Sequence, residues 1–341
     1  MSVKKVCDLF EDFEKSDLYP KAFFSNETGA IAALGAKRHF DHLPKGLDEE
    51  VFGGFGFFEG AHFFSPQKIL RSDPLSLSPS SYDLPKRIGE SELFPFSQYK
   101  KGIERVVNSP IKKVVIARTK IVEYDRPLNP YDIMRHLPTK GSTLFGFMWN
   151  DREAFIGATP EVLYTRSGEE IATMALAGTR PLGETQKQDL LNSKKDMDEF
   201  LCVKEWLHET LSQVATGITA SPIGVKETPF VQHLISHFKG KLSATDEALI
   251  RTLHPTPALG GLPRKEALEM IRDIEPFERG WYGAPVGFAG PDDAQFFVAI
   301  RSAMIDGPTL QPFAGGGIVD GSIPETEWEE TNHKLKLWDF L

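Results

Sequence analysis

The sequence predicts an α+β fold built on a largely antiparallel β-sheet. Short β-branched or aromatic runs come in neighbouring pairs joined by glycine turns, rather than alternating with helices. Helical periodicity is confined to residues 186–214, 264–274 and 324–341. The chain has 341 residues, 40% hydrophobic and 26% charged, enough to bury a sizeable core in one large domain or two small ones. A doubly wound nucleotide-binding fold does not suit this order of elements.

Taken in order, the first 95 residues differ in texture from the rest. Residues 51–64 (VFGGFGFFEGAHFF) lack the glycine spacing and the Lys-Ser/Thr ending of a phosphate loop, so they read as a packed aromatic strand. Residues 72–85 (SDPLSLSPSSYDLP) read as a surface loop. From residue 112 the strand signal dominates, with short apolar runs at 112–118, 142–150 and 153–158. Runs 161–166 and 170–176 flank Ser167-Gly168-Glu169, and runs 294–305 and 309–313 flank Asp306-Gly307-Pro308, giving two hairpins. Residues 282–288 read as a further strand. The last helix opens with Ser322-Ile323-Pro324-Glu325, the pattern of a capping box with proline in the first turn. No repeat or low-complexity tract is present.

Charge and cysteine content narrow the function. There are 48 acidic and 39 basic residues, a net charge of −9. Such a chain repels a phosphate backbone, so nucleic acid is not an expected partner. No apolar run approaches the roughly 20 residues of a bilayer-spanning helix. The N-terminus interleaves acids with apolar residues, unlike a signal or transit peptide, so a cytoplasmic protein is expected. Cys7 and Cys202 are the only cysteines, which excludes a disulfide framework and a thiolate zinc site.

The acid excess invites a cation. Glu327 and Glu330 lie three apart on the C-terminal helix with Lys334 four further on, so all share one face. Asp196 and Glu199 repeat the spacing on the middle helix. Two such helices facing each other can offer four carboxylates to one divalent ion, and all-oxygen ligation suits Mg²⁺. Either pair alone also fits a solvated face.

Lys112 and Lys113 begin a strand apolar on both faces, so one of them can be drawn inward, where burial lowers a lysine pKa toward the range of a general base. Alternation does not choose between them, and paired lysines also protect sheet edges. Glu161, after Gly157-Ala158-Thr159-Pro160, suits a general acid or a turn residue. Gly178 with Thr179, and Gly315 in the run after another strand, can bring backbone N–H groups close to an anion. Arg301, a charge in the apolar run Phe297-Val298-Ala299-Ile300-Arg301, needs an anionic partner, which is either a substrate carboxylate or an internal acid. His254 has no second histidine at ligand spacing and is not read as a metal ligand.

Collinear segments resemble the chorismate-utilising enzymes, and most closely the isochorismate synthases. They are KVVIAR (113–118), FIGATPE (155–161), ALAGTRP (175–181), DMDEFLCV (196–203), LHPTPALGGLP (253–263), RGWYGAPVG (279–287), IRSA (300–303) and AGGGIVDGSIPETEWEETNHK (314–334). The likeness covers residues 95–341, while the first 95 match loosely through the Phe/Gly strand. It implies one domain over 1–341 with two packed, largely antiparallel sheets and helices outside. It implies that Glu199 and Glu330 contact Mg²⁺ directly, with Asp196 and Glu327 acting through water. It places Arg301, Lys334, Tyr282 and the Gly315 N–H around the enolpyruvyl carboxylate of chorismate, with Gly178 and Thr179 at the ring carboxylate. His254 is expected in the same pocket. Of the two lysines the resemblance selects Lys113 as the base that activates water, and it makes Glu161 the acid that protonates the departing C4 hydroxyl.

Two positions depart from the family pattern: Phe200 stands where a histidine is common, and Asp198 can substitute for Asp196. The implied reaction is hydration of chorismate at C2 with loss of the C4 hydroxyl. The alternative is salicylate synthase, which goes on to eliminate pyruvate. No glutaminase subunit is expected, and a monomer is. Isochorismate from such an enzyme serves menaquinone, siderophore or salicylate synthesis. The acidic chain is expected to carry a positive pocket.

Overall fold

The computed structural model describes residues 7–78, 84–227 and 231–341. Helix α1 (Cys7–Lys15) leads into the hairpin of β1 (Lys21–Asn26) and β2 (Gly29–Phe40), followed by the hairpin of β3 (Val51–Phe55) and β4 (Ala61–Ser72). Next come β5 (Arg87–Glu92), α2 (Phe96–Val107), β6 (Lys113–Tyr124), α3 (Pro130–His136), β7 (Thr143–Met148), β8 (Glu153–Thr159), β9 (Val162–Ser167) and β10 (Glu170–Pro181). After α4 (Glu184–Asn192) and α5 (Lys194–Leu211) the chain forms β11 (Ala215–Ala220), β12 (Gly224–Glu227), β13 (Val231–Leu242), α6 (Asp246–Leu253), β14 (Gly261–Leu262) and α7 (Arg264–Ile274). It closes with β15 (Pro285–Ala289), β16 (Asp293–Val298), β17 (Ser302–Asp306), β18 (Thr309–Val319) and α8 (Pro324–Leu335).

Every strand pairing among the described residues is antiparallel. The pairings run in one ladder, β5–β6–β18–β17–β8–β7–β1–β2–β4–β3–β15–β16–β9–β10–β13, with β11 and β12 end to end along β13. The two packed sheets are therefore two halves of one curled ladder. Between them lies a phenylalanine layer: Phe24, Phe145, Phe147 and Phe155 from one half meet Phe52, Phe64, Phe288 and Phe297 from the other. Phe24 stacks on Phe297 at 5.5 Å and Phe52 on Phe288 at 5.3 Å. Each buried ring contributes about 2–3 kcal/mol by leaving water.

Helices cover the outer faces. Helices α1 and α3 pack on β1, β2, β7, β8, β17 and β18. Helices α5 and α6 pack on β9, β10, β13 and β16. Helices α2 and α7, with Trp328 of α8, cover β6 and β18.

Several elements differ from the sequence expectation, each for a local reason. Residues 51–64 form a hairpin rather than one strand, with the turn at 56–60, where Gly56 N–H bonds the carbonyl of Gly60, which sits at φ +82°. The helix expected over 186–214 is two helices: the Ser193 hydroxyl accepts from the N–H of Asp196 and starts α5 afresh. The strand expected over 294–305 is broken between β16 and β17, where Arg301 takes φ 54°. The strand expected at 309–313 runs on to Val319, so Gly315-Gly316-Gly317 lie inside β18 rather than after it. At 282–288 the strand starts only at Pro285, leaving Tyr282 in the preceding turn. The helix expected to Leu341 stops at Leu335 and tightens into a single 3₁₀ turn. Ser322 does not form the capping box; its hydroxyl donates to Glu327 Oε1 at 2.7 Å, and Ile323 occupies the cap. The loop over 72–85 lies partly outside the described residues.

Candidate active site

A cavity of about 290 Å³ opens among β6, β10, β13, β18, α5 and α8. The strands and helices around it deliver chemically distinct groups. Lys113, the first residue of β6, is buried while Lys112 beside it is exposed, which settles the choice that alternation left open. Its side chain crosses Gly317 of the neighbouring strand: a Cβ there would stand 2.9 Å from Lys113 Cε. Lys113 Nζ donates to Glu199 Oε1 at 2.6 Å. Glu161, between β8 and β9, is buried at the same cavity. Burial pushes its carboxyl up to about 7, against the opposing pull of Lys226 and Lys113.

Glycines shape the opposite wall. The β10–β13 register shifts between Ala177 and Arg180, and Gly178 takes φ +65° there, a conformation that costs an L side chain. This bulge brings Gly178 and Thr179 to the cavity. Gly315 lines it from β18 and presents its carbonyl to Lys334 Nζ at 2.7 Å. Tyr282 lies flat against Phe313, with ring centroids 5.1 Å apart.

Arg301 reaches the cavity from the break between β16 and β17. Among the described residues no carboxylate stands within ion-pair distance of its guanidinium, so an internal salt bridge is not what holds it. Burial lowers its pKa, with Tyr282 and Glu330 opposing. A half-buried, unpaired arginine is costly unless a ligand anion completes it.

All four carboxylates from α5 and α8 line the cavity. Each leans on a neighbour: Glu199 on Lys113, Glu330 on Lys334 at 2.6 Å, Asp196 on Arg180 at 2.6 Å, and Glu327 on Ser322 at 2.7 Å. Lys334 holds the Glu330 carboxyl below its usual range, while burial raises that of Glu327. Asp198, the alternative to Asp196, is exposed. Among the described residues no three such side chains converge at ligating distance. The donor set still fits a hard divalent ion, because it is all carboxylate oxygen, drawn from two helices onto one cavity.

Two expectations need correction. His254 does not line the cavity; its Nε2 bonds the Phe57 carbonyl at 2.9 Å and its ring meets Phe57 edge-on. The histidine that does is His233 of β13, which the sequence reading missed. A lone histidine in an apolar strand carries no local mark of what it faces. The carbonyl of Gly178 can only accept, so His233 Nδ1 carries the proton for that 3.0 Å bond. Its Nε2 is then a bare acceptor, buried and without a partner. Burial, with Arg301 adding to it, pushes this ring down to about 4, so it is neutral at working pH. Nor is the pocket strongly positive by side-chain count: Lys113, Arg180, Lys195, Arg301 and Lys334 face Asp196, Glu199, Glu327 and Glu330, and Glu161 joins those acids only above about pH 7.

Comparison with known proteins shows the family. A family model described as chorismate binding enzyme matches residues 71–338. The isochorismate synthase MenF of Haemophilus influenzae is 28% identical over 96% of this chain and 87% of its own. That of Bacillus subtilis is 39% identical over 66% of this chain, which spans only 50% of the relative. The solved structure of MenF, the menaquinone-specific isochorismate synthase from Escherichia coli, superimposes with a TM-score of 0.89 at 24% identity, covering 96% of this chain and 90% of that one. Among the described residues no helix is long and apolar enough to cross a membrane. The chain belongs to the chorismate-binding enzyme family, and the Haemophilus influenzae relative it resembles along nearly its whole length is an isochorismate synthase.

Proposed function

We propose that this chain is an isochorismate synthase, an isomerase acting on chorismate without a nitrogen donor. The observation that carries the proposal is that Lys113 and a Glu161 that keeps its proton to about pH 7 line one cavity with an unpaired Arg301. Water attacks C2 of the ring, the double bonds shift, and the C4 hydroxyl departs. Lys113 takes the proton from the attacking water. Glu161 gives its proton to the departing hydroxyl, which leaves as water, so one water enters and one leaves. Arg301 and Lys334 receive the enolpyruvyl carboxylate, with the Tyr282 hydroxyl and Gly315 N–H beside them. Gly178 and Thr179 approach the ring carboxylate. His233 Nε2, an acceptor only, takes a hydrogen bond from a ring hydroxyl or from the attacking water.

Glu199 and Glu330 would hold Mg²⁺ directly, with Asp196 and Glu327 behind them, and the ion when bound neutralises the ring carboxylate and fixes the ring. Lys113, Lys334 and Arg180, held at present by Glu199, Glu330 and Asp196, would then be free for the attacking water and for the substrate's anionic groups.

The test is incubation of the protein with chorismate and Mg²⁺, free of ammonia and glutamine, followed by chromatography. Isochorismate as sole product supports the proposal. Salicylate with pyruvate would assign the lyase instead, and absence of any product would remove the enzymatic reading.

A further inference from the structure

Behind the carboxylates of α8 lies a group that the reaction above does not use. Tyr99 of α2 is wholly buried, at 0% exposure, and its hydroxyl has no hydrogen-bond partner. Buried polar groups without partners are rare enough to require a reason. The ring has no freedom to seek one elsewhere. It is wedged edge-on between Phe94, with centroids 5.6 Å apart, and Trp328, at 5.4 Å.

The hydroxyl and a Glu327 oxygen both lie beside Gly316. A Cβ on Gly316 would stand 3.4 Å from Tyr99 Oη and 3.6 Å from Glu327 Oε2, with nothing nearer. The missing side chain thus leaves a gap that joins the phenol to the carboxylate. Glu327 Oε1 is occupied by the Ser322 hydroxyl, which leaves Oε2 as the atom on Tyr99's side. A tyrosine hydroxyl carries one proton and a carboxylate only accepts, so toward those acids Tyr99 serves as the donor.

We propose that Tyr99 is a positioning residue of the cation site: its hydroxyl, unpartnered in the ion-free protein, is the donor available to Glu327 Oε2 across the Gly316 gap and would hold that carboxylate in place when the ion is bound. The inference rests on the assignment of Mg²⁺ to the four carboxylates. Partners of this kind behind a ligating carboxylate typically change metal affinity about 10–100-fold when removed.

The test is the Mg²⁺ dissociation constant, measured calorimetrically on the full chain without substrate, alongside the melting temperature without ion. Tyr99→Phe removes only the hydroxyl. It should weaken Mg²⁺ binding about tenfold and leave the ion-free melting temperature unchanged or higher. Gly316→Ala fills the gap with ordinary contacts only. It should weaken binding similarly, and the double variant should bind no worse than either single one, because both break one link. This second variant carries the test if the first misfolds. Wild-type affinity in Tyr99→Phe, or strictly additive losses, would overturn the proposal. Failure of the unaltered protein to bind Mg²⁺ would instead overturn the carboxylate assignment, and this proposal with it.

Discussion

Replacing Glu161 by Gln should stabilise the protein while abolishing its turnover, and the gain should depend on pH in a specific way. Glu161 is 7% exposed, and burial raises its carboxyl from 4.5 to about 7. Between those values the folded state holds a proton that the unfolded chain has released. Stability therefore falls as pH rises through this window, and the whole cost is present above about 7. A shift of this size corresponds to about 3 kcal/mol, at 1.36 kcal/mol for each pKa unit. Glutamine has nearly the same shape and carries no charge to bury. The variant should match wild type near pH 4.5 and exceed it by about 3 kcal/mol at pH 8. For a chain this long the unfolding entropy is about 0.7 kcal/mol per degree, so the melting temperature should rise by about 4 °C at pH 8. Differential scanning calorimetry of both proteins across pH 4.5–8 reads the effect directly. A difference that does not grow with pH, or a variant less stable at pH 8, would refute the claim that Glu161 is a carboxyl held neutral by its burial.

Three further outcomes follow from the same cavity. Lys113→Ala should retain chorismate binding, measured by fluorescence titration, but lose turnover at least about 100-fold, the usual weight of a general base; near-normal turnover would remove Lys113 from that role. Turnover should decline as pH rises through about 7, where Glu161 loses its proton, and a profile flat to pH 9 would mean that another group is the acid. Arg301→Gly should raise KM about 10–100-fold by removing a charged hydrogen bond, yet cost little stability, because glycine adopts the φ of 54° without strain. A large loss of stability with unchanged KM would make Arg301 structural.

What the sequence disclosed was mostly what is local. The i, i+3 spacing of Asp196 with Glu199 and of Glu327 with Glu330 is a property of a single helix, and both pairs line the cavity. Helix α7 matches its expected bounds because its apolar residues keep one clean face, buried at Ala267 and Ile271. Helix α2 carried a comparable signal in Tyr99, Ile103 and Val106 and was not read. Other features depend on one atom or on distant chain. One hydroxyl, that of Ser193, divides α4 from α5, and periodicity does not register it. The break at Arg301 needs a left-handed residue that is not glycine, which no pattern announces. His233 and His254 look alike in sequence, and only the pairing of β13 with β10 turns the first to the cavity, while Phe57 draws the second away. The partner of each acid is likewise invisible, since Lys113 and Glu199 lie 86 residues apart.

The central claim is that solvent water, activated beside Lys113, becomes the new C2 hydroxyl while the original C4 oxygen leaves. Turnover of unlabelled chorismate in heavy-oxygen water, with the product read by mass spectrometry, tests it most directly. The account predicts isochorismate carrying one solvent oxygen at C2 and none elsewhere. Unlabelled isochorismate would mean that the C4 hydroxyl migrated within the molecule, and would contradict it.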